Sequence, residues 1–63
     1  MSRYIYLSHY SDRYEILVDG PRILRINKLF SDSGIIRRVE FSELPNGLQD
    51  EVIRKMDAVN YEI

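Results

Sequence analysis

Residues 21–30 read PRILRINKLF, and the state of this segment decides how many strands the fold contains. As a strand it sets Leu24, Ile26 and Phe30 on one face, because strand side chains alternate with a period of two. As a helix it has Pro21 at a favourable first-turn position and carries Ile23, Ile26 and Phe30 on one stripe. The flanks favour the strand. Upstream, DGP at 19–21 is a turn signal in which Gly20 can adopt a positive φ and Pro21 fixes its own. Downstream, SDSG at 31–34 is a polar cluster ending in glycine that suits a hairpin loop. A segment bounded by two hairpin turns is most simply a strand.

The neighbouring segments extend this pattern. Arg3 to Leu7 and Arg13 to Val18 are short runs rich in aromatic and β-branched residues, separated by SHYSD at 8–12, and both read as strands. IIRRVEF at 35–41 is also strand-like, with Ile35, Val39 and Phe41 on one side and Ile36, Arg38 and Glu40 on the other. Arg37 interrupts the first set unless it lies at the sheet margin. After a further break at LPNG (44–47), the apolar residues change period. Leu48, Val52, Met56 and Val59 follow three- and four-residue spacings, with Asp50 and Glu51 read as first-turn charges and Arg54 and Lys55 later, as the helix dipole favours. The expected fold is α+β: a small antiparallel β-meander of three or four strands, with one C-terminal helix packed on one face.

Length and composition limit what this fold can be. Sixty-three residues make one domain, spanning 1–63. A chain this short buries only about 60% of the surface that its unfolded form exposes, so its core is marginal. Disulfides and thiolate zinc sites are excluded by the absence of cysteine, and a single histidine cannot build a histidine-rich metal site. Self-association or an unusually well-packed core is then the expected support for so small a domain, and self-association is favoured. The chain is 44% hydrophobic and 30% charged, which suits a globular domain rather than a disordered one. No apolar run is long enough to span a membrane or to form the core of a signal peptide, so a cytoplasmic protein is expected.

Charge is unevenly distributed around a net value of −1. Residues 1–38 hold seven Arg or Lys against four Asp or Glu, whereas residues 39–63 hold two against six. The isoelectric point near 5.7 is low for a dedicated nucleic-acid domain, although the asymmetry allows a local basic surface and contact between unlike ends.

Four of the five tyrosines fall in RYIYLSHYSDRY, residues 3–14. Strand alternation puts Tyr4 and Tyr6 on one side of the first strand and Ile5 and Leu7 on the other, so both sides are largely apolar. Antiparallel strands with one wet face normally alternate apolar and polar residues. Leu17 creates the same conflict in the second strand, lying opposite Tyr14, Ile16 and Val18. One helix covers one face, and the simplest assignment turns Ile5 and Leu7 toward it. The open face would then carry Tyr4, Tyr6 and Leu17, with Tyr10 nearby. Tyr in strands also packs without any function, but Tyr and Arg dominate protein-binding hot spots. The expectation is a non-enzymatic binding or regulatory protein, a homo-oligomer or an inhibitor or accessory factor of a larger partner. Its interface residues would be Tyr4, Tyr6, Tyr10, Leu17, Arg25 and Arg37. The alternative is a binder of single-stranded nucleic acid or nucleotides, stacking bases on Tyr4, Tyr6 and Tyr10 and meeting phosphate with Arg25 or Arg37. Arginine on the tyrosine face is the feature that separates the two.

Other chemistry finds little support. Imidazole titrates near neutrality, but His9 sits in an expected turn, and Ser8, Ser11, Asp12 and Glu15 are neighbours in sequence rather than a triad. Glu40, Glu43, Asp50 and Glu51 match no calcium-loop spacing. VDGPRI has one glycine and no following Lys-Ser/Thr, so it is not a phosphate loop. No catalytic, cofactor or metal residue is therefore assigned.

Overall fold

The computed structural model describes the backbone of residues 1–61 and the side chains of residues 1–56. Four strands, β1 (Ser2–His9), β2 (Asp12–Asp19), β3 (Arg22–Phe30) and β4 (Ile35–Arg38), form an antiparallel sheet in sequential order. A 3-10 turn at Phe41–Glu43 leads into helix α1 (Asn46–Tyr61), which packs on β1. The expected α+β meander is thus present, and residues 21–30 contribute a strand. None of the helices among the described residues is long and apolar enough to cross a membrane.

The turns follow from their residues. The β1–β2 and β2–β3 connections each contain two residues, Tyr10–Ser11 and Gly20–Pro21, and each has positive φ at its first residue (57° and 59°). That is the pattern of a II′ hairpin turn, which wants glycine first. Gly20 meets this demand and Tyr10 does not. SDSG closes the β3–β4 hairpin, with Gly34 at φ 74° donating its N–H to the Phe30 carbonyl at 2.8 Å.

Alternation then sorts the side chains. On the helix side, Ile5 faces Ile16, and Ile16 faces Ile26; Leu7 faces Tyr14, and Arg3 faces Val18. These apolar residues, except for the flanking Arg3, are buried against Leu44, Leu48, Val52 and Met56 of the connector and helix. Val59, expected on the same helical stripe, lies outside the described side chains. Arg3 ties the start of β1 to the helix, its Nη2 donating to the Lys55 carbonyl at 2.9 Å. Lys28 closes the other end of this face. Its Nζ lies 4.6 Å from the Phe30 ring centre and 5.6 Å from that of Tyr14, and pairs with Asp12 at 3.6 Å.

Four details differ from the sequence reading. A bulge shifts the β2–β3 register between Leu17 and Val18, so Val18 faces Ile23. An extra residue reverses strand parity; Ile23 therefore packs against the core, and Leu24, expected there, is exposed. β4 ends at Arg38 rather than continuing to Phe41: Val39 still donates its N–H to the Ile26 carbonyl, after which Glu40 and Glu43 cap the 3-10 turn. Leu44, read only as part of a break, is a core residue at 3% exposure. Asp50 and Glu51 lie in the second turn of α1, because the helix begins at Asn46. Glu51 pairs with Lys55 at 3.9 Å, and the first turn is held instead by Gln49, whose Nε2 donates to the Leu44 carbonyl at 2.8 Å.

Candidate binding interface

With α1 on one side, the opposite face of the sheet has no covering layer from the described residues. Its composition can be read row by row across the strands. One row is Tyr4, Leu17, Arg25; the next is Tyr6, Glu15, Asn27, Arg38; the third is Ser8, Arg13, Leu29, Ile36. Successive rows are two residues, about 6.7 Å, apart.

In the first row the apolar excess of β2 is partly resolved within the chain. Arg25 reaches across β2 and donates from Nη2 to the Tyr4 hydroxyl at 3.0 Å. Since Leu17 lies between these two residues in the register, their side chains roof it, and it is half-buried. The roof has a cost: Arg25 Nε is buried without a hydrogen-bond partner.

The other two rows remain open. Tyr6 stacks on Tyr4 with ring centres 5.9 Å apart and planes 23° apart, and stays 67% exposed against 41% for Tyr4. Beside it, Glu15 Oε1 accepts a hydrogen bond from Asn27 Nδ2 at 3.4 Å. Tyr6, Glu15, Asn27, Leu29 and Ile36 border a shallow depression of about 180 Å³. That is below the roughly 300–1,000 Å³ of sites that enclose drug-sized ligands, yet it exceeds the roughly 150 Å³ apolar cavity that admits a benzene ring. It has room for one large side chain.

Tyr10 stands at the edge of this face. It is the only non-glycine residue with positive φ among the described residues, and it is 94% exposed. Its one ring contact is edge-to-face with His9, centres 4.5 Å apart. A side chain held in such a conformation costs of order 1–3 kcal/mol. Burial in the core does not offset that cost, because this ring is not in the core.

The structure brings together Tyr4, Tyr6, Leu17 and Arg25 of the expected interface and sets Tyr10 at its rim. Arg37 is placed elsewhere. It pairs with Lys28, on the helix side, and the arginine of the tyrosine face is its neighbour Arg38. This assignment follows from β4 parity, once Phe30 and Ile35 are seen to pair across the SDSG loop. Arg13, Leu29 and Ile36 complete the face. Although they lie far apart in sequence, the meander register makes them neighbours. By that register Arg13, Arg22, Arg25 and Arg38 share the face with Glu15 and Asp19, giving a local balance of +2 within a chain of net −1.

His9 has no carboxylate engaged with it among the described residues: Asp12, its cross-strand neighbour, is paired with Lys28. Of the four carboxylates weighed as a cation site, Glu40 and Glu43 cap the 3-10 turn, Glu51 pairs with Lys55 and Asp50 is exposed, and no group of three or more potential metal ligands forms among the described residues. None of the protein-family models, curated proteins or solved structures compared with the chain matches it.

Proposed function

We propose that this is a small non-enzymatic binding protein whose working surface is the tyrosine-bearing open face, engaged by another protein or by a second copy of the chain. A regulatory role, as an inhibitor or accessory factor that covers a larger partner's surface, fits this size and surface. One observation carries the reading: a four-stranded sheet has a helix on one side only, and the other side displays Tyr6 and Ile36, each 67% exposed, around an apolar depression. Contiguous exposed apolar surface with a polar rim is characteristic of interaction sites, and Tyr and Arg are the residues that anchor them. The test uses phenol as a probe in an amide-resolved NMR titration. Shifts clustered on Tyr6, Leu29 and Ile36 support the reading. Shifts clustered on the exposed helix residue Ile53, or scattered without preference, count against it.

A second reading is supported by the arginines. Arg25, Arg38 and Arg13 fall one per row over three successive rows, beside Tyr4 and Tyr6. Such spacing suits a single nucleic-acid strand lying along the sheet, with bases stacked on tyrosine. Counterion release would then weaken binding steeply as salt rises. Absence of any anisotropy change with a labelled oligonucleotide at low salt would end this alternative.

A further inference from the structure

We infer that the free edge of β1 receives an extended peptide segment of another protein as a fifth strand, with an acidic residue of that segment set against Arg3. This inference concerns the edge of the sheet and holds whether or not the open face binds anything.

β1 lies at one end of the strand order, so its outer side has no neighbour in the sheet. The turn decides which of its backbone groups face outward. A two-residue hairpin loop closes on a hydrogen-bonded pair, here His9 and Asp12. Alternate pairs share that state, so Arg3, Ile5, Leu7 and His9 turn their N–H and C=O groups toward β2. Ser2, Tyr4, Tyr6 and Ser8 turn theirs outward. The far side of the sheet gives the same parity. Val39 donates to the Ile26 carbonyl at 3.0 Å, so Ile26 faces β4 and its neighbour Asn27 faces β2; counting back through Glu15, Ile16 and Ile5 returns the same alternation. All four outward residues are exposed. Donors and acceptors repeating every two residues, about 6.7 Å, match one class of ligand, another extended backbone.

The two edges of the sheet are protected unequally. β4 has only four residues and ends in Arg37 and Arg38 before the chain turns away. Short length and charge are devices that keep foreign strands off an edge. β1 has eight residues, pairs with β2 in unbroken register, and contains no proline, glycine, lysine or carboxylate. It presents a regular edge without those devices.

Side chains narrow the occupant. On the open-face flank an added strand sets its residues opposite Tyr4 and Tyr6, where β-branched side chains pair well. On the helix flank it meets Arg3, Ile5 and Leu7. The α-amino group and Arg3 are the charges of residues 1–9, which hold no carboxylate. Asp19 pairs with the α-amino group, whereas Arg3 donates to the Lys55 carbonyl and enters no ion pair among the described residues. Asp or Glu opposite Arg3 supplies the missing countercharge. Neither edge of a second copy can do so, because β1 lacks a carboxylate and β4 carries two arginines. The occupant is therefore another protein.

Amide hydrogen exchange and an NMR titration of the labelled chain test this with a capped probe peptide, Thr-Val-Thr-Val-Thr-Val-Glu-Val, matched to the eight residues of β1. In the dilute chain alone, the amides of Tyr4, Tyr6 and Ser8 should exchange freely while those of Ile5 and Leu7 are protected. The probe, added to about 1 mM, should protect Tyr4, Tyr6 and Ser8. Methylating the two central probe nitrogens that point at β1 should weaken binding at least about 10-fold; methylating two that point away should not. Replacing the probe's Glu by Lys should weaken binding about 3-fold or more at low salt. Tyr6→Pro removes an outward N–H, which an edge strand tolerates, and should weaken binding at least about 10-fold with Ile5 and Leu7 still protected. The methylated probes leave the protein unaltered, so the test stands even if that variant unfolds. Protection of Tyr4, Tyr6 and Ser8 in the chain alone, whether dilute or growing with concentration, overturns the inference, as does a probe that protects none of them. Equal binding of the methylated probes, or of the Glu and Lys probes, overturns it too. Perturbations confined to Glu15, Leu29 and Ile36 leave the open face as the binding surface and overturn the edge.

Discussion

The two faces of this sheet are built from the same strands but carry different residues: one is lined mainly by Ile, Leu and Val, and the other sets Tyr4, Tyr6, Leu29 and Ile36 among arginines and carboxylates. On the helix side, Ile16, Val18 and Val52 are at most 2% exposed, and ten buried residues form one cluster. On the other side, Tyr6 and Ile36 remain 67% exposed, although residues of the same types, Tyr14 and Ile16, are buried beneath the helix. Burial of apolar area contributes roughly 25 cal/mol per Å² to folding. The helix face therefore carries most of the stability, and the open face is nearly neutral to it. The two-residue turns repeat the contrast: Gly20 sits relaxed at φ 59°, and Tyr10 holds φ 57° with a full side chain in solvent. Where one position serves the fold, the other displays a ring at the fold's expense.

Several substitutions would break or sharpen this comparison. The largest loss is expected at the centre of the covered face. Ile16→Ala, at a site with 0% exposure, should remove about 2–5 kcal/mol in a urea titration, enough to unfold a domain of ordinary marginal stability. An intact transition in this variant would show that the core is not centred on β2. Next comes Gly20→Val. Nothing lies within 4 Å of the added Cβ, so the expected destabilisation of about 1–3 kcal/mol is purely backbone strain; a neutral result would mean that the turn can refold into another type. Tyr10→Gly should act in the opposite direction. Relief of the same strain is expected to gain about 1 kcal/mol and raise the melting temperature by about 4–8 °C, and a fall in melting temperature would mean that the His9 contact outweighs the strain.

Smaller effects belong to the open face. Tyr4→Phe removes the acceptor for Arg25 Nη2, at a site 41% exposed, so a loss of about 0.5–1.5 kcal/mol is expected. Double-mutant analysis with Arg25→Met should recover a coupling between the two positions, and strict additivity would dissolve the proposed roof over Leu17. Tyr6→Ser should change stability by no more than about 0.5 kcal/mol; a loss of about 2 kcal/mol or more would show that Tyr6 supports the fold and would remove it from the binding surface.

The comparison also shows where a sequence pattern carries information and where it stops. Ile5 and Leu7 under the helix, with Tyr4 and Tyr6 opposite, follow from period-two alternation once a single helix is recognised. Residues 21–30 were ambiguous because Ile23, Ile26 and Phe30 satisfy a helical stripe, while Leu24, Ile26 and Phe30 satisfy a strand. The bulge opposite Leu17 and Val18 makes β3 obey neither pattern fully, and Ile23 rather than Leu24 packs inward. A bulge depends on the partner strand and leaves little local trace. Leu44 was hidden for a similar reason: it lies beside Pro45 in a turn-like stretch and reaches the core only because the connector crosses toward α1. The parity of β4 placed Arg38 and not Arg37 among the tyrosines, a one-residue distinction that reverses the face on which a charge is found.

Local chemistry in the sequence determined the elements themselves. Alternation, turn residues and a three- and four-residue helical spacing act over a few positions, so strands, hairpins and helix could be derived from short windows. Register, the bulge and the choice of covered face depend on contacts between segments distant in the chain. Only the tertiary structure decided that Tyr6, Arg13, Leu29 and Ile36 border one depression, that Leu17 lies beneath Arg25 and Tyr4, and that Tyr10 occupies a turn whose geometry calls for glycine.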